Sequence, residues 1–252
     1  MYHLTWIDST IENGNDALNS PAEYDRWAAL YTAKRRVIAC ATVIEEMLGW
    51  LPVDVEHEVL DFGLHLRPEK LREALQAKID ESSASADVLL LGYGLCSMAI
   101  VGLQARNAHL VIPRVDDCIA IFLGSCAAYK EQARKEPGTY YLTKGWIEAG
   151  DTPFEEHLQL VEKYGEARAR RMTSLILKNY RRLAFINTGQ YDIERFREYA
   201  QTTAKSFDLN FEEIDGSPAL VQKMVNGPWD DEFMVVAPGE TVTYADFATP
   251  KS

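Results

Sequence analysis

Two short apolar runs constrain the fold of this chain more than any other feature. Asp87 to Leu91 reads DVLLL and His109 to Pro113 reads HLVIP. Neither run alternates with polar residues, which predicts strands buried on both faces, as in a parallel sheet covered by helices. Strand and helix patterns alternate around them. Val37 to Cys40 is a short buried strand, and Ala41 to Leu51 a helix stopped by Pro52. Val53 to Phe62 alternates like a strand, and Arg67 to Ser82 is a helix with a polar face. Met98 to Arg106 and Cys118 to Lys135 read as helices, and Thr139 to Thr143 as a strand. A helical region follows, capped by Thr152-Pro153 with a break at Gly165, and runs to about Tyr180. Leu183 to Asn187, Leu209 to Ile214 and Phe233 to Val236 are strands, separated by helices at Ile193 to Phe207 and Ala219 to Val225.

This alternation predicts an α/β protein with a mostly parallel sheet or sheets, helices on both faces and two Rossmann-like lobes. The expected division is an extension at 1–33, a first lobe at 34–150, a helical connection at 151–181 and a second lobe at 182–252. In the extension, Ser20-Pro21 reads as a helix start. Tyr24, Trp27, Ala28 and Tyr31 follow at helical spacing. Such a helix suits docking onto the body or onto a second subunit of a homo-oligomer.

Composition narrows the function. Apolar residues are 47% and charged residues 25% of the chain, which is globular rather than disordered. Lys and Arg number 26 against 38 Asp and Glu, a net charge of −12. That balance argues against a nucleic acid or an anionic membrane as the main partner. The longest apolar stretch, Cys118 to Ala128, is interrupted by Gly124-Ser125 and falls short of a membrane span. The start lacks the basic and apolar regions of a secretory signal, so a cytoplasmic protein with reduced thiols is expected.

The cysteines are the main chemical lead. Cys40 ends the first body strand, and Cys96 and Cys118 each lie a few residues past a strand end. In a sheet of order 2-1-3-4 the first, third and fourth strands are neighbours, and their carboxyl ends form the usual ligand crevice. Three thiolates converging there would leave one coordination position open, as in catalytic metal sites. The bland alternative is three small buried hydrophobes. Cys126 lies two helical turns beyond Cys118 and reads as core. No CxxC, HExxH or GxSxG pattern occurs.

The surrounding segments supply candidate partners. Gly92 and Gly94 lie in GYGLCS, where Ser97 breaks the dinucleotide fingerprint; they suit close approach of backbone to a ligand or metal. Arg114 could bind an anionic substrate or a carboxylate. Of Asp116 and Asp117, one should cap the next helix while the other acts as ligand or base, with Asp116 preferred for chemistry. Glu45, on the helix after Cys40, is a candidate proton-transfer group, its alternative being a solvated helix face. Lys144 and Trp146 could line the pocket. Gly189, Gln190 and Tyr191 hold the equivalent position in the second lobe.

The segments IACATVIEEM, LLGYGLCSMAIVGL, LVIPRVDDCIAIFLGS, PGTYYLTKGWIE and FMVVAPGE together resemble a bacterial and archaeal family catalogued as a domain of unknown function. The likeness runs from about residue 36 to about 240 and leaves out 1–33. Its cysteine motifs fall on Cys40, Cys96 and Cys118. Some members occur beside genes for corrinoid proteins and methylamine-type methyltransferases, which implies one-carbon or methyl-transfer metabolism. Three functions follow as expectations. The first is a metal-dependent transferase or lyase holding zinc or a [4Fe–4S] cluster and acting on a small-molecule substrate. The second is an accessory protein that binds a metal, a corrinoid or a methyltransferase partner. The third is a metal-free small-molecule-binding protein.

Overall fold

A computed structural model describes residues 27–247, except 97, 150–151 and 190–191. Strands β1 (Arg35–Cys40), β2 (Glu56–Leu60), β3 (Val88–Gly92), β4 (His109–Pro113) and β8 (Phe233–Val236) form one sheet in the order β2-β1-β3-β4-β8. The first four are parallel, so the expected 2-1-3-4 arrangement holds; β8 runs antiparallel at the β4 edge. β5 (Thr139–Leu142), β6 (Arg182–Asn187) and β7 (Asn210–Asp215) form a second, parallel sheet in chain order. The protein is thus α/β with a mostly parallel main sheet flanked by helices.

Hydrogen bonding does not sort the strands as the chain does. β5 precedes the helical connection yet pairs with β6, while β8 comes last yet pairs with β4. Nothing in a four-residue strand specifies which sheet edge completes it, because every edge offers the same unpaired backbone groups.

The two runs that led the sequence argument are buried as required: every residue of β3 is buried, and so are Leu110 to Pro113 of β4. Ala39 of β1 stands opposite Gly92 of β3, so these strands end level with one another. The helix expected over 118–135 is two helices, α3 (Cys118–Phe122) and α4 (Cys126–Lys135). Gly124 between them takes a φ of +82°, and the Ser125 hydroxyl accepts from the Ala128 N–H at 3.0 Å to restart the helix.

Residues 98–106 do not form the expected helix. Met98 adopts a φ of +72°, and the segment proceeds by i+3 turns such as Val101 N–H to the Met98 carbonyl at 3.2 Å. The amides of Gly102 and Ala105 bond instead to carbonyls of Val242 and Glu240. The apolar spacing of Ala99, Ile100 and Leu103 did mark burial, since all three are fully buried. It marked the wrong local structure, because burial alone does not fix the backbone hydrogen bonds.

The helical connection breaks at Gly165, at a φ of +79°, into α6 (Pro153–Tyr164) and α7 (Glu166–Leu177). The start of the expected N-terminal helix at Ser20-Pro21, with Tyr24, lies outside the described residues. Its end, at 27–31, lies on the body: the Tyr31 ring meets Trp229 at 4.9 Å and Trp27 meets the His109 ring at 6.4 Å. Among the described residues no helix is long and apolar enough to cross a membrane.

Candidate functional site

The three cysteines meet at the carboxyl edge of the first sheet. Cys40 closes β1 and is the residue from which α1 (Ala41–Leu48) starts, with extended backbone (φ −76°, ψ 163°). Its Sγ lies 3.1 Å from the Thr42 hydroxyl. Cys96 follows β3 in the left-handed region at a φ of +44°, a conformation costing a non-glycine residue about 1 kcal/mol or more. Two bonds hold it there: the Leu95 N–H to the Val115 carbonyl (2.8 Å) and the Cys96 N–H to the Asp116 carbonyl (3.0 Å). The loop after β3 is therefore laced to the loop after β4, where Cys118 opens α3. All three thiols are buried, with exposures of 0%, 8% and 4%.

Burial and mutual charge set the protonation of the three thiols. Burial raises all three thiol pKa values above the ordinary range, that of Cys96 to about 12. The Cys40 charge further raises Cys96 and Cys118, and the Cys96 charge raises Cys118. All three act on Tyr93, whose phenol is raised first by its own burial. The Tyr93 hydroxyl is buried with no hydrogen-bond partner, a costly arrangement. In the metal-free site the thiols are therefore neutral at pH 7. Among the described residues, no group of three His, Cys, Asp or Glu side chains is arranged to hold a metal ion.

A cleft of about 390 Å³ opens beside this cluster, within the range of small-molecule sites. It lies between the edge of the first sheet and β5 of the second. Asp117 and His65 link it to the thiols. Asp117 precedes Cys118 and caps α3, its Oδ1 accepting from the Ile119 N–H at 2.9 Å. Burial raises its pKa, and the Tyr129 hydroxyl donates to its other oxygen at 3.4 Å. His65 lies in the turn after β2 and stacks on Tyr93, with ring centres 5.8 Å apart. Burial lowers its pKa, so the ring is neutral. Its Nδ1 lies 2.9 Å from the Phe62 carbonyl, which can only accept; the proton therefore sits on Nδ1. The Nε2 lone pair is buried and unpartnered.

The other candidates fall in several places. Asp116 is exposed, and its carbonyl rather than its carboxylate serves the site. Asp117 both caps the helix and faces the cleft, so the roles divided between the two acids fall on one residue. The reason is that a capping side chain must fold back over the helix start, which here is also the cleft wall. Glu45 is exposed and pairs with Lys144 Nζ at 3.1 Å, and Lys144 also pairs with Glu148. The inward glutamate is Glu46, only 6% exposed, with a raised pKa from burial and a 2.9 Å hydrogen bond from Thr188 of the second sheet's edge. Arg114 is half-buried, its Nε buried without a partner and its amide bonded to the Glu232 carbonyl. A Cβ on Gly92 would come within 2.6 Å of the Ala39 Cβ, and one on Gly94 within 2.6 Å of the Val115 carbonyl. Protein, then, fills the space that each of these glycines leaves. Trp146 does line the cleft, as expected. Cys126 is half-buried and packs against the main core. Ser97, Gln190 and Tyr191 lie outside the described residues. His65, Tyr129 and Tyr141 were missed by the sequence reading; no motif marks them, and only the packing of three separate segments brings them together.

The chain belongs to a family described as "Protein of unknown function (DUF1638)", which matches residues 59–225. The matched span contains Cys96, Cys118, Asp117 and His65, whereas Cys40 precedes it. No curated protein and no solved structure matches the chain.

Proposed function

We propose that this protein is a metal-dependent enzyme, a transferase or lyase, whose ion or cluster is held by Cys40, Cys96 and Cys118 with one position open. The observation that carries the reading is that three buried thiols, from three separate chain segments, follow the adjacent strands β1, β3 and β4 at one sheet edge. The strained backbone at Cys96 supports it, because such strain gathers at functional sites. Zinc or the open iron of a [4Fe–4S] cluster would supply Lewis acidity or activate a bound thiol, which suits methyl transfer and one-carbon chemistry. The chain's own groups would do the rest. The cleft takes a small-molecule substrate and excludes water with its aromatic walls. Asp117 holds or moves a proton at its Oδ2 beside the Tyr129 hydroxyl, and the His65 Nε2 accepts one. A cytoplasmic setting would keep the thiols reduced.

A second reading, a metal-free small-molecule-binding protein, is favoured by the neutral thiols and by the absence of a ligating arrangement among the described residues. Metal and acid-labile sulfide analysis of protein purified without oxygen separates the two readings. One zinc per chain, or about four irons and four sulfides, is expected. The Cys96→Ala variant should lose the metal while circular dichroism stays unchanged. Metal-free wild-type protein that takes up neither zinc nor iron would sink the metal reading.

A further inference from the structure

The cleft beside the thiols has a chemical character of its own. Phe62, Tyr129, Tyr140, Tyr141, Trp146 and Tyr180 all line it. They form walls of packed rings: Phe62 meets Trp146 edge-on at 6.1 Å, Tyr129 meets Tyr141 at 6.2 Å and Tyr140 meets Tyr180 at 5.3 Å. Its carboxylates are Asp117 and Glu136, and among the described residues no Lys or Arg lines it. Arg182 stands behind Thr139, donating to that hydroxyl at 2.8 Å, and its charge is matched by Glu212 at 2.6 Å.

These facts discriminate among ligand classes. An anion would meet two carboxylates and no free cation. A neutral molecule would gain apolar contact but leave the half-buried Asp117 charge uncompensated. A soft organic cation satisfies both features, because aromatic faces attract weakly hydrated cations and a desolvated carboxylate strengthens that attraction. A strongly hydrated inorganic ion is a poorer fit, since it keeps its water shell and gains little from the faces of the rings.

We propose that this cleft binds a small organic cation, an alkylated ammonium or pyridinium, between its aromatic walls and against the Asp117 and Glu136 carboxylates. The proposal deepens the reading above by naming what the substrate cleft takes, and it rests on that reading for the cleft being the substrate site. Binding itself requires no metal. Proximity then brings the cation's alkyl groups beside the thiol cluster, since Asp117 adjoins Cys118 in the chain.

The test is calorimetric titration of the full chain with choline and with 3,3-dimethylbutan-1-ol, its neutral carbon isostere. Choline should bind at least tenfold more tightly. Asp117→Asn, which keeps a capping side chain, should weaken choline about tenfold and leave the alcohol unchanged. Trp146→Leu should weaken choline at least fivefold. Chelator-treated wild-type protein should bind choline as untreated protein does, so a failure of the metal reading leaves this one standing. Equal affinity for the two probes, no choline binding, or choline binding unmoved by both cleft variants would overturn the proposal. Metal found at the thiols with no choline binding would leave the metal reading intact and remove this one alone.

Discussion

The two sheets handle polar groups in opposite ways. In the first, β3 and β4 are buried on both faces, and burial raises the pKa values of the acidic groups at their carboxyl edge. In the second, β7 shows an exposed edge, and its carboxylates pair with arginines: Glu212 with Arg182 and Glu213 with Arg197, each at 2.6 Å. The first sheet therefore carries groups whose protonation a ligand could change. The second carries carboxylates already paired with arginines. It still contributes to the site, because β5 and the helix after it supply Tyr140, Tyr141 and Trp146 to the cleft wall. A buried, double-faced sheet makes the chemistry available, and a smaller sheet shapes the space around it.

The largest expected difference is chemical. In metal-free protein at pH 8, Cys96 should react with a disulfide reagent roughly a thousandfold more slowly than an exposed thiol, because a pKa of about 12 leaves very little thiolate. The comparison is with a thiol introduced beside the second sheet by Thr202→Cys, where the position is exposed. Comparable rates, followed by mass spectrometry, would break the contrast.

Next comes packing. Gly92 ends a strand of the first sheet, and Gly189 follows a strand of the second. Gly92→Ala would force a Cβ to within 2.6 Å of the Ala39 Cβ and should cost about 2–3 kcal/mol of unfolding free energy. At Gly189, nothing lies within 4 Å and the φ is +73°, so Gly189→Ala should cost only the left-handed penalty of about 1 kcal/mol. Urea denaturation of the two variants sharpens the comparison, and equal costs would show the first edge to be looser than described.

The smallest effect is the pH response. Burial raises the folded-state pKa of Asp117, so the folded chain binds that proton more tightly than the unfolded chain. Its contribution is favourable below the folded pKa and is lost as pH rises through it. Asp117→Asn should therefore gain stability relative to wild type as pH rises from about 4 toward 7. Glu213 is the opposite case. Arg197 lowers its pKa, so its contribution is present above the unfolded pKa and lost as pH falls. Glu213→Gln should lose stability relative to wild type at pH 7, and the difference should shrink on acidification. Parallel pH trends in the two variants would erase the distinction between the sheets.

Much of this architecture was legible in the sequence because uninterrupted apolar runs admit few alternatives. DVLLL and HLVIP fixed the centre of the sheet, and the placement of Cys40, Cys96 and Cys118 after strand ends put them at one edge once the order 2-1-3-4 was adopted. The break at Gly165 and the capping by an aspartate in Val115-Asp116-Asp117 followed from local rules. Local rules failed where tertiary partners took over the backbone. Residues 98–106 gave up helical bonds to the segment near Val242, and Gly124 split a helix whose apolar spacing was continuous.

The sequence by itself determined the fold class and that Cys40, Cys96 and Cys118 each stand at or after a strand end, because burial pattern acts through short-range chemistry that each segment carries. Only the tertiary structure decided that Asp117 rather than Asp116 faces the cleft, that Glu46 rather than Glu45 points inward, and that β8 and β5 change sheets. Those outcomes depend on which face a neighbouring element covers. The aromatic cleft belongs to this second group: its six rings come from five separate segments, and no spacing within any one of them records that they meet.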